Sequence, residues 1–195
     1  MLNYISKSIT YNEYCNLLET LMKEGKTTGT NQSESYLTYA KLNLVRMQRL
    51  NKTVVLTEEL KAELKKITKK YTWLVITEGW CGDAAQNIPA LHFMEKENSN
   101  IELRLILRDE NLELMDRYLT NGGRAIPKLI CLEKESMQEV FIWGPRPEET
   151  QKIVLDLVER KATLEEKSLI LQKWYNNDKT LTLQNEFIEL LKKLQ

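Results

Sequence analysis

The segment that most constrains this chain runs from Tyr71 to Arg108. Its first part, Thr72-Trp73-Leu74-Val75-Ile76-Thr77, is β-branched and aromatic and mostly apolar on both faces. That is the composition of a central strand buried between two layers. A helical stretch from Gly82 to about Lys96 follows, and then Ile101–Arg108 alternates, with Ile101, Leu103, Leu105 and Leu107 on one side and Glu102, Arg104 and Arg108 on the other. Such alternation predicts a half-exposed edge strand. A strand–helix–strand crossover makes the two strands parallel. Farther on, Lys128–Glu133 and Glu139–Trp143 are separated by too few residues for anything but a hairpin. The order β-α-β-α-β-β-α over residues 71–160 predicts an α/β fold with a mixed four-stranded sheet and helices on both faces.

The flanks read as helix. In residues 1–70, Thr10 and Glu13 have the form of a capping box, and Tyr14, Leu17, Leu18 and Leu21 form a stripe at helical spacing. A polar loop from Gly25 to Ser35 leads to a second helix, from about Ser35 to Leu50, with Leu37, Ala40, Leu44 and Met47 on one face. A third opens at Thr57 and repeats Leu60, Leu64, Ile67 and Tyr71. After the edge strand, Leu112, Met115 and Leu119 mark a helix that closes at Asn121-Gly122-Gly123. Pro147 suits a first helical position. Thr163 with Glu166 forms a second capping box, and Leu183, Phe187, Leu190, Leu191 and Leu194 give residues 161–195 the stripe of a C-terminal extension that packs on the core. With 7 Gly and 4 Pro in 195 residues, turns are about half as frequent as average usage implies. The apolar stripes read as core; a homodimer through the flanking helices is the competing reading.

Charge and composition exclude several classes. Lys plus Arg equals Asp plus Glu, 28 against 28, which leaves no basic surplus for nucleic acid. The longest strongly apolar run, Trp73–Ile76, is far short of the ~20 residues that span a bilayer, and no signal peptide is visible. A cytoplasmic protein without a membrane partner is expected. Three sparse cysteines, Cys15, Cys81 and Cys131, do not make a disulfide framework. His92 is the single histidine, so no metal or cofactor is expected. It lies eleven residues past Cys81 on one helix, about 16 Å along the axis, too far for a Cys–His pair.

Cys81 carries what chemistry there is. It follows the central strand and precedes a helix, where unpaired N–H groups and the positive end of the dipole converge. A thiolate there is stabilised below the free value of ~8.5; Asp83 and Glu78 oppose it, so a moderate depression is expected. Trp80 can wall the site and Gly82 keeps the approach open. A buried structural cysteine is the competing reading, and position alone does not choose between the two.

Trp80-Cys81-Gly82-Asp83-Ala84 followed by Pro89 resembles the active-site segment of thioredoxins, W-C-G-P-C with a helix-kinking proline eight residues after the first cysteine. Gly123-Arg124-Ala125-Ile126-Pro127-Lys128-Leu129 is similar to the segment around their cis-proline, and Gly144 fits the same pattern. The resemblance covers about residues 71–160 and implies a thioredoxin-like fold. It departs where Ala84 replaces the resolving cysteine, Asp83 the intervening proline, and Val75 the buried acid that serves the resolving step. The motif looks like a monothiol, bacterial W-C-G-D branch of that superfamily.

The resemblance implies monothiol thiol–disulfide exchange: Cys81 attacks a protein disulfide or a low-molecular-weight thiol adduct, and an external thiol resolves it. Trp80, Gly82 and Asp83 would frame the substrate, with Ile126 and Pro127 exposing a backbone edge to an extended segment and Arg124 facing an anion if it turns to the cleft. A non-catalytic binding or redox-sensing module is the alternative. Cys131, about 13 Å along a strand from Pro127, is too far to resolve in place and reads as core. Cys15 reads as packing, able to resolve only if the N-terminal helices cover the site. The lysines from Lys61 to Lys70 read as a solvated face.

Overall fold

The structure is a computed structural model and describes residues 1–194. In chain order it comprises α1 (Leu2–Lys7), α2 (Tyr11–Lys23), α3 (Glu34–Thr53), α4 (Glu58–Lys65), β1 (Tyr71–Thr77), α5 (Gly82–Glu97), β2 (Ile101–Leu107), α6 (Leu112–Met115), β3 (Lys128–Glu133), β4 (Glu139–Trp143), α7 (Glu148–Glu159), α8 (Leu164–Asp178) and α9 (Leu181–Leu191). The sheet order is β2-β1-β3-β4. β1 pairs parallel with β2 and antiparallel with β3, and β3 pairs antiparallel with β4. This is the mixed four-stranded, thioredoxin-like sheet expected from the sequence, with every residue of β1 buried.

The edge strand β2 is not left open. Ile9 and Leu105 exchange backbone hydrogen bonds of 2.8 and 2.7 Å, so the segment after α1 covers part of its free edge. α5 packs against the sheet and α3 packs on α5. α9 delivers Phe187 to a cluster with Trp73 (5.3 Å between centroids), Phe141 (6.2 Å) and Trp143 (5.6 Å). Both extensions are therefore part of one core. Among the described residues no helix is long and apolar enough to cross a membrane.

Both capping boxes form, at Thr10–Glu13 and Thr163–Glu166. Two helices are shorter than their periodicity predicts. The stripe Leu112, Met115, Leu119 ends after one turn, because Leu112 and Leu119 are exposed, and the residues that reach the core are Leu114, Met115 and Tyr118. α4 stops at Lys65, although Ile67 and Tyr71 continue the apolar spacing. Those two side chains are buried because the linking segment crosses the same core that α4 faces.

Candidate functional site

The turn from β1 into α5 is held from both sides. Gly79 N–H donates to Thr28 Oγ1 (2.8 Å), and its carbonyl accepts from Asn43 Nδ2 (3.0 Å) on α3. A Cβ on Gly79 would lie 2.5 Å from the Leu18 side chain, so glycine lets α2 approach this turn. Trp80 is gripped between Tyr36 (5.0 Å between centroids) and the Arg108 guanidinium (4.7 Å from the ring centroid). Glu78 is fully buried; its Oε1 accepts from Asp109 N–H (2.8 Å), and burial pushes its pKa up, toward the uncharged acid.

Cys81 is the N-cap residue of α5 and is only 9% exposed. Its Sγ donates to the Ile126 carbonyl at 3.2 Å. Burial pushes its pKa up to about 12, and the Asp83 charge adds to the rise. The N–H groups of Ala84 and Asp83 and the Arg146 guanidinium pull the other way but do not prevail. The expected depression is thus reversed. Desolvation of the thiolate outweighs the helix N-terminus, and Cys81 is a thiol at neutral pH.

Asp83 is the hub of a buried polar network. Its Oδ2 accepts from Arg146 Nε (2.9 Å) and Nη2 (2.6 Å), and its Oδ1 accepts from Tyr175 O–H (2.7 Å). The Tyr175 oxygen in turn accepts from Asn87 Nδ2 (3.1 Å), and Arg146 Nη1 donates to Gln151 Oε1 (2.7 Å). Asp83→Asn is expected to lower the Cys81 pKa and speed its alkylation at neutral pH about tenfold for each unit of the fall, while Arg146→Gln slows it. Rates with iodoacetamide check both signs.

In front of Cys81 lies a cavity of about 370 Å³. Its floor is Trp80, Cys81, Gly82 and Asp83; α3 contributes Tyr36, Tyr39 and Arg46, and α8 contributes Leu164, Lys167, Leu171 and Tyr175. The helices flanking the sheet thus roof the thiol. Ile126 and Pro127 are joined by a cis peptide, and both are buried. The Ile126 carbonyl already holds the Cys81 thiol, so this backbone is not an open edge for an extended segment. The Arg124 guanidinium does not line the cavity; it pairs with Asp116 through bonds of 2.6 and 2.8 Å. Cys131 faces Trp73 in register on β1 and is fully buried. Cys15 lies on α2, Tyr11 of the same helix stacks on His92 (4.2 Å), and all three cysteines are free thiols.

The thioredoxin family model Thioredoxin_9 matches residues 29–167, from the loop before α3 into α8. The chain belongs to this thioredoxin family. Its fold resembles that of a Pseudomonas aeruginosa protein of unknown function (TM-score 0.60, 19% identity, covering 96% of this chain and 99% of that one). It also resembles an HIV epitope-scaffold (TM-score 0.58, 18% identity, covering 94% and 98%). No curated protein matches the chain. Arg146, Tyr175 and Arg46 join the thioredoxin-like site without a signal as clear as Trp80-Cys81-Gly82. The one local hint is Gly144-Pro145-Arg146-Pro147, where two prolines stiffen the backbone around a single arginine.

Proposed function

We propose that this thioredoxin-family chain carries out monothiol thiol–disulfide exchange on low-molecular-weight disulfides in a reducing, cytoplasmic setting, with Cys81 as the single reacting thiol. The observation that carries the proposal is the roofed cavity of about 370 Å³ with Cys81 in its floor, a size for a small molecule and not for an extended protein chain. Ala84 leaves no second thiol in the motif, so a second small thiol completes the cycle. Cys81 gives up its proton, and the resulting thiolate attacks one sulfur of R–S–S–R. The S–S bond breaks, Cys81–S–S–R forms, and R–S⁻ leaves and takes up a proton. An external thiol then attacks the mixed disulfide, which regenerates Cys81 and carries R away as a new disulfide.

A binding module without turnover is the second reading, favoured by the rise of the Cys81 pKa to about 12. Intact-mass measurement after incubation with a small disulfide separates the two. Exchange predicts a single adduct, on Cys81, absent in Cys81→Ser and removed by added thiol. Its formation rate should still climb at about pH 10, beyond the ~8.5 of a free cysteine. No adduct under any of these conditions leaves only the binding module.

A further inference from the structure

The cavity over Cys81 has an uneven charge balance. Its one carboxylate, Asp83, is fully engaged by Arg146 and Tyr175. Arg46, projecting from α3, donates from Nη1 to the neutral Asn43 Oδ1 at 2.8 Å, while the Asp83 carboxylate makes its ion pair with Arg146. It is half-buried; burial and the neighbouring Arg49 charge lower its pKa, and the Asp83 charge offsets part of that. Arg46 Nη1 lies 3.7 Å from where a Cβ on Gly82 would stand, over the first residue of the 16-residue α5. Lys167 adds a second cation to the lining from α8. Tyr36, Trp80, Val154, Leu164 and Leu171 give the wall an apolar and aromatic part, which suits a flat or aromatic body. A guanidinium in a partly dehydrated pocket, whose nearest carboxylate is already held by Arg146 and Tyr175, gains from an anion that joins it.

We infer that the Cys81 cavity selects small disulfides that carry an anionic group on an apolar or aromatic body, with Arg46 as the residue that reads the anion. This deepens the exchange reading and rests on it for the covalent step. The bound anion sits between Arg46 and the start of α5, next to Cys81, so the group that sets affinity also aligns the sulfur under attack. Arg46 touches the ligand and not the reacting sulfur; its role is specificity.

Two aromatic disulfides test this: dithiobis(nitrobenzoate), which carries two carboxylates, and the neutral dithiodipyridine. Second-order rates with Cys81, each divided by the rate of the same reagent with free cysteine, should favour the anionic reagent by about tenfold. Arg46→Gln, which can keep the hydrogen bond to Asn43, should erase that preference by slowing the anionic reagent about tenfold more than dithiodipyridine, and retain the native circular dichroism. Arg46→Lys should restore most of the preference. Equal normalised rates in the native protein, or a loss in Arg46→Gln shared by both reagents, would overturn the inference. If neither reagent modifies Cys81, the exchange reading fails. The anion preference is then read from calorimetry with nitrobenzoate and nitrobenzamide. Tighter binding of the acid that Arg46→Gln weakens about tenfold sustains it, and equal or absent binding refutes it.

Discussion

Replacing Gly144 by alanine is expected to remove a large share of the stability of the molecule. Gly144 has φ +103°, and a Cβ there would stand 2.3 Å from the Pro127 carbonyl oxygen, a backbone atom that cannot swing aside. The conformation alone costs an alanine about 1–3 kcal/mol. Relieving the overlap means moving the start of β3 away from the end of β4. That movement breaks the bond from Lys128 Nζ to the Gly144 carbonyl (2.7 Å) and leaves a buried ammonium short of a partner. Together these effects amount to roughly 4 kcal/mol or more, against the 5–15 kcal/mol that holds a typical domain. Urea unfolding of Gly144→Ala beside Gly123→Ala, where an added Cβ meets its nearest atom at 3.4 Å, measures the difference. Equal midpoints would refute the close-approach account. The same displacement would carry the neighbouring Ile126 carbonyl away from Cys81, so any folded Gly144→Ala protein should also show altered thiol reactivity.

Alkaline pH is the second large lever. Cys81 and Cys131 each have their pKa raised by burial from 9.0 to about 12. An acid whose folded pKa lies above its unfolded value lends stability that is complete below the unfolded pKa and lost as pH rises through the folded one. The window is therefore about pH 9 to 12, and three units correspond to about 4 kcal/mol for each thiol. Lys128 has the opposite sign: burial lowers its pKa from 10.5 to about 8, so its contribution grows as pH climbs between those values. Stability should rise slightly between about pH 8 and 9, where Lys128 acts alone, then fall as the two thiols outweigh it, most steeply above about pH 10.5. Denaturant titrations at stepped pH trace this, and Cys81→Ala should flatten the fall by up to the share of one thiol. A curve of unchanged slope in Cys81→Ala would show that Cys81 is not the titrating group.

The sheet and the reacting thiol were legible because both depend on neighbours in sequence. An apolar run such as Trp73–Ile76 announces a buried strand whatever surrounds it, and Trp80-Cys81-Gly82 lies where any β–α junction presents its first residues. The surroundings of Cys81 were not legible, because they are assembled from far away: Arg146 and Tyr175 reach Asp83 across 63 and 92 residues. The helix N-terminus and Asp83 act on the sulfur with the signs their sequence positions imply. The roof of α3 and α8 has no local signature, and its desolvation reverses the balance at the sulfur. Arg124 stands two residues before Ile126 in the chain, yet Asp116, at 2.6 Å, takes up its charge away from the cleft. The helix at Leu112 was overextended for a related reason, since spacing cannot tell whether Leu119 has a surface to meet.

Of the fifteen residues of α8, only Tyr175 is buried, yet this helix supplies much of the roof over Cys81. A cover held by one buried side chain and a few polar links, such as Gln86–Gln172 and Arg49–Asn176, is expected to open without disturbing the sheet. Scarce reagent should modify the thiol in proportion to its concentration. Abundant reagent should wait for the cover, so rates for chemically different reagents converge on one common ceiling, the opening frequency of α8. Loosening that hold, as Tyr175→Ala would, turns a sheltered thiol into one that any passing oxidant can reach.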